Sequence, residues 1–273
     1  MIPAIKQLVS DKSEHVRSAL GSVIMGLAPT LEKDGTIKHL LPLFIQLLKD
    51  QFPEVRLNII SKLDAVNKVV GVELLSQSLL PAIVELAEDK QWRVRLAIIE
   101  YIPLLSKQLG VEFFDDKLST LCMKWLIDSV YSIREAATIN LKKLTEVFGA
   151  EWCEKNLLPK ILSMDHSNYL YRMTTLFAIN VCSLSFLTFF FFQSLVVVLP
   201  HDVNSTILDL VIKMLDDPVP NVRFNAVKTL EIMMDHVKTS VIKDRIKPTL
   251  TEMSSKEKDT DVKFFISQAL SKC

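Results

Sequence analysis

The chain has 273 residues, of which 32 are basic and 32 acidic, and 49% of its residues are hydrophobic. This balance is typical of globular proteins, and a net charge of zero without runs of Lys or Arg argues against binding to nucleic acid or to an anionic membrane surface. The four cysteines show no disulfide or metal-ligand spacing, so we expect reduced thiols, no metal or other cofactor, and an intracellular protein, cytoplasmic or also nuclear.

Seven segments of the chain share one pattern, in which an apolar run and a short polar turn precede a basic residue and a second apolar run. Their basic marker residues are Arg17, Arg56, Arg95, Arg134, Arg172, Arg223 and Lys263. Successive markers are 39, 39, 39, 38, 51 and 40 residues apart. A period near 39 predicts an all-α solenoid, in which each repeat is a pair of antiparallel helices packed on its neighbours. We therefore predict a single solenoid of about seven repeats over residues 1–273.

Proline residues predict where the first helices of the first three repeats begin. Pro3, Pro42 and Pro81 each lie 14 residues before a marker arginine, and a proline in the first helical turn loses no hydrogen bond. The third repeat shows both apolar faces at helical spacing, namely Leu79, Leu80, Ile83, Leu86 and Ala87, then Val94, Ala97, Ile98, Tyr101, Ile102 and Leu105. In the fourth repeat, Trp125 continues the apolar face of Leu121, so we expect it in the core.

An aspartate recurs six residues before the marker arginine. These aspartates are Asp11, Asp50, Asp89, Asp128 and Asp217. Because a fixed repeat position stacks into a column along a solenoid, this pattern predicts a ladder of Asp–Arg pairs between neighbouring repeats. The alternative is that the arginines bind an acidic ligand.

The residues favour no catalytic chemistry. Aspartate and histidine occur singly on predicted turns, and no histidine lies beside a plausible nucleophile. No Gly-rich phosphate loop or GxSxG elbow is present in the sequence. We therefore expect a protein that is not an enzyme.

The spacing of 51 residues contains an apolar segment that the other repeats lack. Removing Cys182–Gln193 restores a spacing of 39, so we interpret these residues as an insertion surplus to the solenoid. Its phenylalanines, leucines and serines have pyrimidine-rich codons, like the 3′ end of an intron, which favours a short intron read in frame. Two alternatives stay open. One is a membrane helix, since Met173–His201 carries no Asp, Glu, Lys or Arg, and the other is a genuine insertion that covers the core.

Several long stretches carry a family resemblance, among them HVRSALGSVIMGLAP, PEVRLNIISKLDAVN, WRVRLAIIEYIPLLSKQLGVEFFDDKL, SIREAATINLKKL and NYLYRMTTLFAINV. They resemble the scaffold (A) subunits of type 2A serine/threonine protein phosphatases, which are solenoids of fifteen HEAT repeats. By this resemblance the chain corresponds to the ninth to fifteenth repeats. The resemblance implies a non-catalytic scaffold whose last five repeats hold the phosphatase catalytic subunit through their intra-repeat turns. It also implies that regulatory B-type subunits dock mainly on earlier repeats, so we expect their binding to be weakened.

The resemblance further implies which residues contact the catalytic subunit. They are Trp92, Arg93, Tyr169, Leu170, Val219, Asp261 and Phe264. The chain departs from the family pattern at Gln91, where the family has a basic residue, and the turns of the fifth and seventh repeats differ in length by one residue.

The residues around Trp92 also indicate a binding role without the resemblance. An aromatic residue next to Arg93 on an exposed turn has the composition of an interface hot spot, and the alternative is a tryptophan folded back onto its own helix pair. Two other functions stay open, a HEAT-repeat adaptor of another kind, such as a nuclear-transport carrier, and a membrane protein.

Overall fold

The computed structural model describes residues 2–164, 167–179 and 201–273. Within these ranges the chain forms helices joined by short turns, and no β-strand occurs among them. The prediction of an all-α solenoid built from helix pairs is confirmed. The insertion predicted at Cys182–Gln193, with its intron and membrane interpretations, lies outside the described residues. None of the described helices is long and apolar enough to cross a membrane.

The chain forms two compact units, Met1–Cys122 with Ser129–Ala136 and Met123–Asp128 with Ala137–Cys273. The helices of the first unit are α1 (Ile2–Val9), α2 (Glu14–Val23), α3 (Ala28–Gly35), α4 (Leu41–Leu48), α5 (Pro53–Ile60), α6 (Leu63–Val70), α7 (Val72–Ala87), α8 (Trp92–Leu109) and α9 (Val111–Lys117). Two helices contain residues of both units, α10 (Ser119–Trp125) and α11 (Tyr131–Phe148). The helices of the second unit are α12 (Ala150–Trp152), α13 (Leu158–Leu162), α14 (Tyr169–Ile179), α15 (His201–Met214), α16 (Pro220–Met233), α17 (Thr239–Val241), α18 (Lys247–Lys256) and α19 (Thr260–Lys272).

The core follows the apolar spacing of the sequence. In the third repeat the second helix buries Val94, Ile98, Tyr101, Ile102 and Leu105, and the first helix buries Ile83, Leu86 and Ala87. Leu80 and Ala97 are half-buried, and the side chain of Leu79 is not among those described. Trp125 is only 2% exposed, which confirms its place in the core.

The prolines predicted to mark the beginnings of the first helices differ in outcome. The prediction holds for Pro3 in α1 and for Pro42 in α4, and is wrong for Pro81, which lies inside α7. Pro42 follows the π-helix Thr36–Leu40, after which the next amide bonds to the carbonyl five residues earlier. This π turn shifts the hydrogen-bond register by one residue, and so accommodates a ring that cannot donate a hydrogen bond and would clash with the carbonyl four residues earlier. The same arrangement recurs at Pro159 and Pro248, after the π-helices Cys153–Leu157 and Ile242–Ile246.

The turns between the first five repeats pass through a residue with a positive φ angle, a feature that the sequence analysis did not identify. These residues are Glu32, at a kink within α3, and Gly71, Gly110 and Gly149, with φ of 54°, 88°, 86° and 91°. They are spaced by 39 residues, so one backbone conformation recurs with the repeat. Glycine reaches this region without a steric penalty because it lacks a Cβ atom. Glu32 carries a Cβ atom there and is therefore strained.

Candidate partner-binding turns

A ladder of ion pairs joins the intra-repeat turns of neighbouring repeats. In the first unit Arg17 donates from Nε and Nη2 to both carboxylate oxygens of Asp50 in the next repeat, at 2.6 and 3.1 Å. Its Nη1 donates to the carbonyl of Asp11 in its own repeat, at 2.6 Å. Further rungs of the ladder are Arg56–Asp89 at 3.0 Å and, in the second unit, Arg172–Asp217 at 2.6 Å. The predicted Asp–Arg ladder is confirmed at these three rungs.

One rung escaped the sequence analysis because its acid is a glutamate. Arg223 donates from Nε and Nη2 to the carboxylate of Glu257, at 2.7 and 2.8 Å. Glu257 lies six residues before the marker Lys263, which is the aspartate position of the other repeats. Counting back from that marker would have found it. The alternative that the marker arginines bind an acidic ligand does not fit Arg17 or Arg223, since neighbouring acids and carbonyl groups take up their donors.

The rungs lower the pKa of their carboxyl groups. For Glu257 the hydrogen bonds from Arg223 outweigh the effect of burial and, with two backbone amides, lower the pKa to about 2. For Asp50, burial raises the pKa, but hydrogen bonds from Arg17 and a backbone amide together lower it. The pKa of Asp217 is lowered in the same way: burial raises it, but hydrogen bonds from Arg172 and a backbone amide together lower it. These groups therefore stay ionised at neutral pH inside the turns.

The ladder acids also set where the second helices begin. Asp89 Oδ1 accepts the backbone amide of Gln91 at 2.8 Å, and its carbonyl accepts Nη1 of Arg95 at 2.6 Å. Gln91 has extended backbone angles, and α8 then begins at Trp92. The turn is thus held by its own hydrogen bonds, and the first residues of α8 are left to face outward.

Trp92 and Arg93 form a pair at the beginning of α8. The guanidinium of Arg93 lies over the indole ring at 5.4 Å from its centroid, which is a cation–π contact. Trp92 is half-buried and Arg93 is exposed. Among the described residues, Arg93 makes no hydrogen bond or ion pair. The pair thus presents an apolar surface and an uncompensated positive charge on a rigid turn.

Tyr131 occupies the same position in the fourth repeat, and the sequence analysis missed it. It is the first residue of α11 and 54% exposed, and the guanidinium of Arg134 lies 5.7 Å from its ring centroid. Partial burial and the nearby carboxylate of Glu135 raise the pKa of Tyr131, so its hydroxyl stays a neutral donor. The spacing of 39 residues from Trp92 is the signal that could have found it.

The fifth and sixth repeats place their predicted residues at the same turn. Tyr169, the first residue of α14, is 40% exposed, and Leu170 beside it is half-buried. The amide of Leu170 donates to Oδ1 of Asn168 at 3.0 Å. Val219 precedes α16, is half-buried, and donates its amide to Asp217 Oδ1 at 2.9 Å. An amide-to-side-chain bond therefore also orders both of these turns.

The seventh repeat presents Asp261 and Phe264 on the first turns of α19. Asp259 caps this helix by accepting the amides of Asp261 and Val262, at 3.0 and 3.1 Å. Asp261 is exposed, and Phe264 lies three residues further on and is 62% exposed. This spacing puts a carboxylate and an aromatic ring on one face of the helix.

The structure therefore brings the predicted residues together within repeats. Trp92 and Arg93 belong to the first unit, and the other five predicted residues belong to the second. In the part of the chain that the structure describes, no three His, Cys, Asp or Glu residues are grouped as a metal site would require.

Two family models and several curated proteins are similar to parts of the chain. The PPP2R1A-like HEAT repeat model matches residues 1–31 and 33–110, and the HEAT repeat model matches residues 207–237. The chain is 45% identical over 137 residues to the A-type regulatory subunit of protein phosphatase PP2A from Saccharomyces cerevisiae. The match covers 46% of this chain and 19% of that protein. It is 60% identical over 48 residues to the beta isoform of the 65 kDa A-type regulatory subunit of serine/threonine-protein phosphatase 2A from Rattus norvegicus. This second match covers 18% of this chain and 8% of that protein. These matches thus span less than a fifth of either relative.

Solved structures resemble the chain over nearly its whole length. A crystal structure of importin beta has a TM-score of 0.65 at 13% identity, and covers 98% of this chain and 35% of that one. The crystal structure of Cex1p has a TM-score of 0.57 at 15% identity, and covers 99% of this chain and 52% of that one. At such identities the likeness shows the fold alone.

Proposed function

Because the chain is a HEAT-repeat protein homologous to the A-type regulatory subunits of protein phosphatase 2A, we propose that it is a non-catalytic scaffold that binds the phosphatase catalytic subunit. Binding would take place through the intra-repeat turns. Assembly of the bound catalytic subunit with regulatory subunits belongs to the same proposal. The predicted function as another kind of HEAT adaptor gains no support from the likeness to importin beta, which concerns the fold alone.

The observation that carries the proposal is the pair of Trp92 and Arg93. Tryptophan and arginine are the residues most enriched among the few that supply most of the energy of an interface. Here the turn below them is already ordered by Asp89, and the guanidinium is already stacked on the indole. Binding therefore costs little conformational entropy, which favours affinity.

The same turn position supplies further proposed contacts in other repeats. Tyr131 and Tyr169 begin the second helices of the fourth and fifth repeats, as Trp92 begins that of the third. We include Leu170 and Val219, together with Asp261 and Phe264 of the seventh repeat, among the proposed contacts. An exposed aromatic residue on a rigid helix start offers a large contact area with few torsions to restrain.

The proposal is tested by titrating purified type 2A catalytic subunit onto the chain and onto its Trp92→Ala variant. Truncating a central aromatic anchor typically costs ~2 kcal/mol or more, so we expect the dissociation constant to rise more than tenfold. Helicity by circular dichroism and the melting temperature should stay unchanged, because Trp92 lies outside the buried face of α8.

Leu104→Ala is the matched control, since Leu104 is an exposed apolar residue of the same helix, near its other end. It should bind as the parent does. Arg93→Ala should add less than its single effect to Trp92→Ala, because contacting residues do not contribute independently. Parent-like binding by Trp92→Ala would show that this pair is not a contact, and an absence of binding by the parent would refute the function itself.

A further inference from the structure

The sixth and seventh repeats share a cluster of three phenylalanine rings on their second helices. Phe224 of α16 and Phe265 of α19 pack edge to face with ring centroids 4.6 Å apart. Phe264 continues the cluster at 5.2 Å from Phe265, again edge to face. Phe224 and Phe265 are half-buried, whereas Phe264 is 62% exposed. We call these three residues the aromatic platform.

A lysine completes the aromatic platform. Lys228 lies one helical turn after Phe224 on α16, and its Nζ lies over two rings, 5.2 Å from the centroid of Phe224 and 5.3 Å from that of Phe265. Within the described residues, Lys228 forms no ion pair. The ammonium of Lys228 therefore interacts with the negative faces of the two rings, and a carboxylate would bind it more strongly.

The acidic residues near the aromatic platform form no ion pair with Lys228 among the described residues. Glu231, the next acid along α16, is bound to Lys272 at 3.3 Å. Asp261 lies one helical turn before Phe264. Lys263, beside Phe264 in α19, is exposed and has no ion pair within the described part of the chain. Apart from the Glu231–Lys272 pair, the charged residues named on the two helices of the platform are therefore two lysines and one aspartate.

From this arrangement we propose that the aromatic platform and Lys228 bind an apolar side chain flanked by a carboxylate on the phosphatase catalytic subunit. The apolar side chain packs against the exposed ring of Phe264, and the carboxylate accepts a hydrogen bond from the ammonium of Lys228. Burying the exposed ring removes apolar surface from water, and the carboxylate gives the ammonium a charged hydrogen-bond acceptor. Phe264 of the aromatic platform is also one of the contacts proposed above. The inference rests on the proposed function and names the chemistry of the partner at one of its contacts.

The test is a titration of purified type 2A catalytic subunit onto parent, Lys228→Glu, Lys228→Met and Lys243→Glu chains. Lys228→Glu should raise the dissociation constant at least tenfold, because two carboxylates would then face each other. Lys228→Met keeps the apolar stem on the rings, so it should weaken binding less and reduce its dependence on salt. Lys243→Glu makes the same charge change at an exposed lysine of the π-helix in the first helix of the seventh repeat, and should bind like the parent.

The outcomes separate the inference from the function on which it rests. If the parent binds and Lys228→Glu binds equally well, the inference is wrong while the scaffold function stands. If Lys228→Glu and Lys243→Glu weaken binding equally, only the overall charge matters, and the inference is again overturned. If the parent itself fails to bind, the proposed function fails first. Circular dichroism of each variant confirms that the fold is intact.

Discussion

A carboxylate orders the intra-repeat turns at Asp50, Asp89 and Asp217, whereas a single residue with a positive φ angle forms the inter-repeat turns of the first repeats. Asp50 accepts the amide of Phe52 in its own turn and the guanidinium of Arg17 from the preceding repeat. At Gly110 the reversal depends instead on the backbone, with a φ of 86°. The first kind of turn joins repeats through side chains, and the second depends on the conformation of one residue.

This difference explains where the chain can carry binding residues. In the third repeat the hydrogen bonds of Asp89 and Arg95 order the intra-repeat turn without using the side chain of the residue that begins the second helix. Trp92, Tyr131 and Tyr169 occupy that position in three successive repeats. A site built on such a rigid frame keeps its geometry while its side chains change.

Breaking a rung should have the largest effect on stability. In Arg223→Ala the carboxylate of Glu257, only 4% exposed, loses its partner, and we expect a loss of about 3–5 kcal/mol in the free energy of unfolding. Urea unfolding measures it. The control is Lys155→Ala, which removes an exposed pair with Glu151 and should leave stability unchanged. Equal effects of the two substitutions would contradict a structural role for the ladder.

Acid should weaken the intra-repeat turns specifically. Folding lowers the pKa of Glu257 from 4.5 to about 2, so its stabilisation is complete above the ordinary pKa and is lost as the pH falls from about 4.5 to 2. Urea midpoints measured across this range should therefore fall in the parent. Glu257→Gln should flatten the decline, whereas Gly110→Ala should lower stability equally at every pH. Parallel curves for parent and Glu257→Gln would show that this rung is not the acid-sensitive element.

Disturbing an inter-repeat turn should cost less than breaking a rung. Gly110→Ala forces a Cβ atom into a backbone region that favours glycine, and we expect a loss of about 1–3 kcal/mol, measured by urea unfolding. Gly26→Ala is the matched control, because Gly26 has no positive φ and an added Cβ would meet no atom within 4 Å. A loss of stability in the control as large as at Gly110 would rule out backbone conformation as the cause.

The smallest expected effect is a gain. Glu32→Gly places a glycine at the turn where the next three equivalent positions already carry one, and relief of strain should add about 1 kcal/mol to the free energy of unfolding. Glu32→Ala keeps the Cβ atom and should bring no such gain. Thermal melting of both variants measures the difference. An unchanged or lower midpoint for Glu32→Gly would mean that this turn is not strained.

Much of the candidate site was predictable because it repeats. Each repeat places equivalent residues in equivalent turns, so the spacing of the marker residues was enough to predict the Arg17–Asp50 pair. The same spacing places Tyr131 at the position of Trp92, although the family resemblance does not imply it as a contact. The role of Glu257 was not predicted because the other repeats carry aspartate at this position, although a glutamate accepts the same guanidinium at 2.7 Å.

By itself the sequence determined the helix pairs, their buried faces and the position of Trp92, since these depend on residues close together in the chain and on a period that places the same chemistry in every repeat. Only the tertiary structure decided that Lys228 lies over the rings of both Phe224 and Phe265, and that the helix continues through Pro42 after a π turn. Such features depend on distances between different helices and on local hydrogen-bond register, which small shifts in packing change and which no periodic pattern of residue types contains.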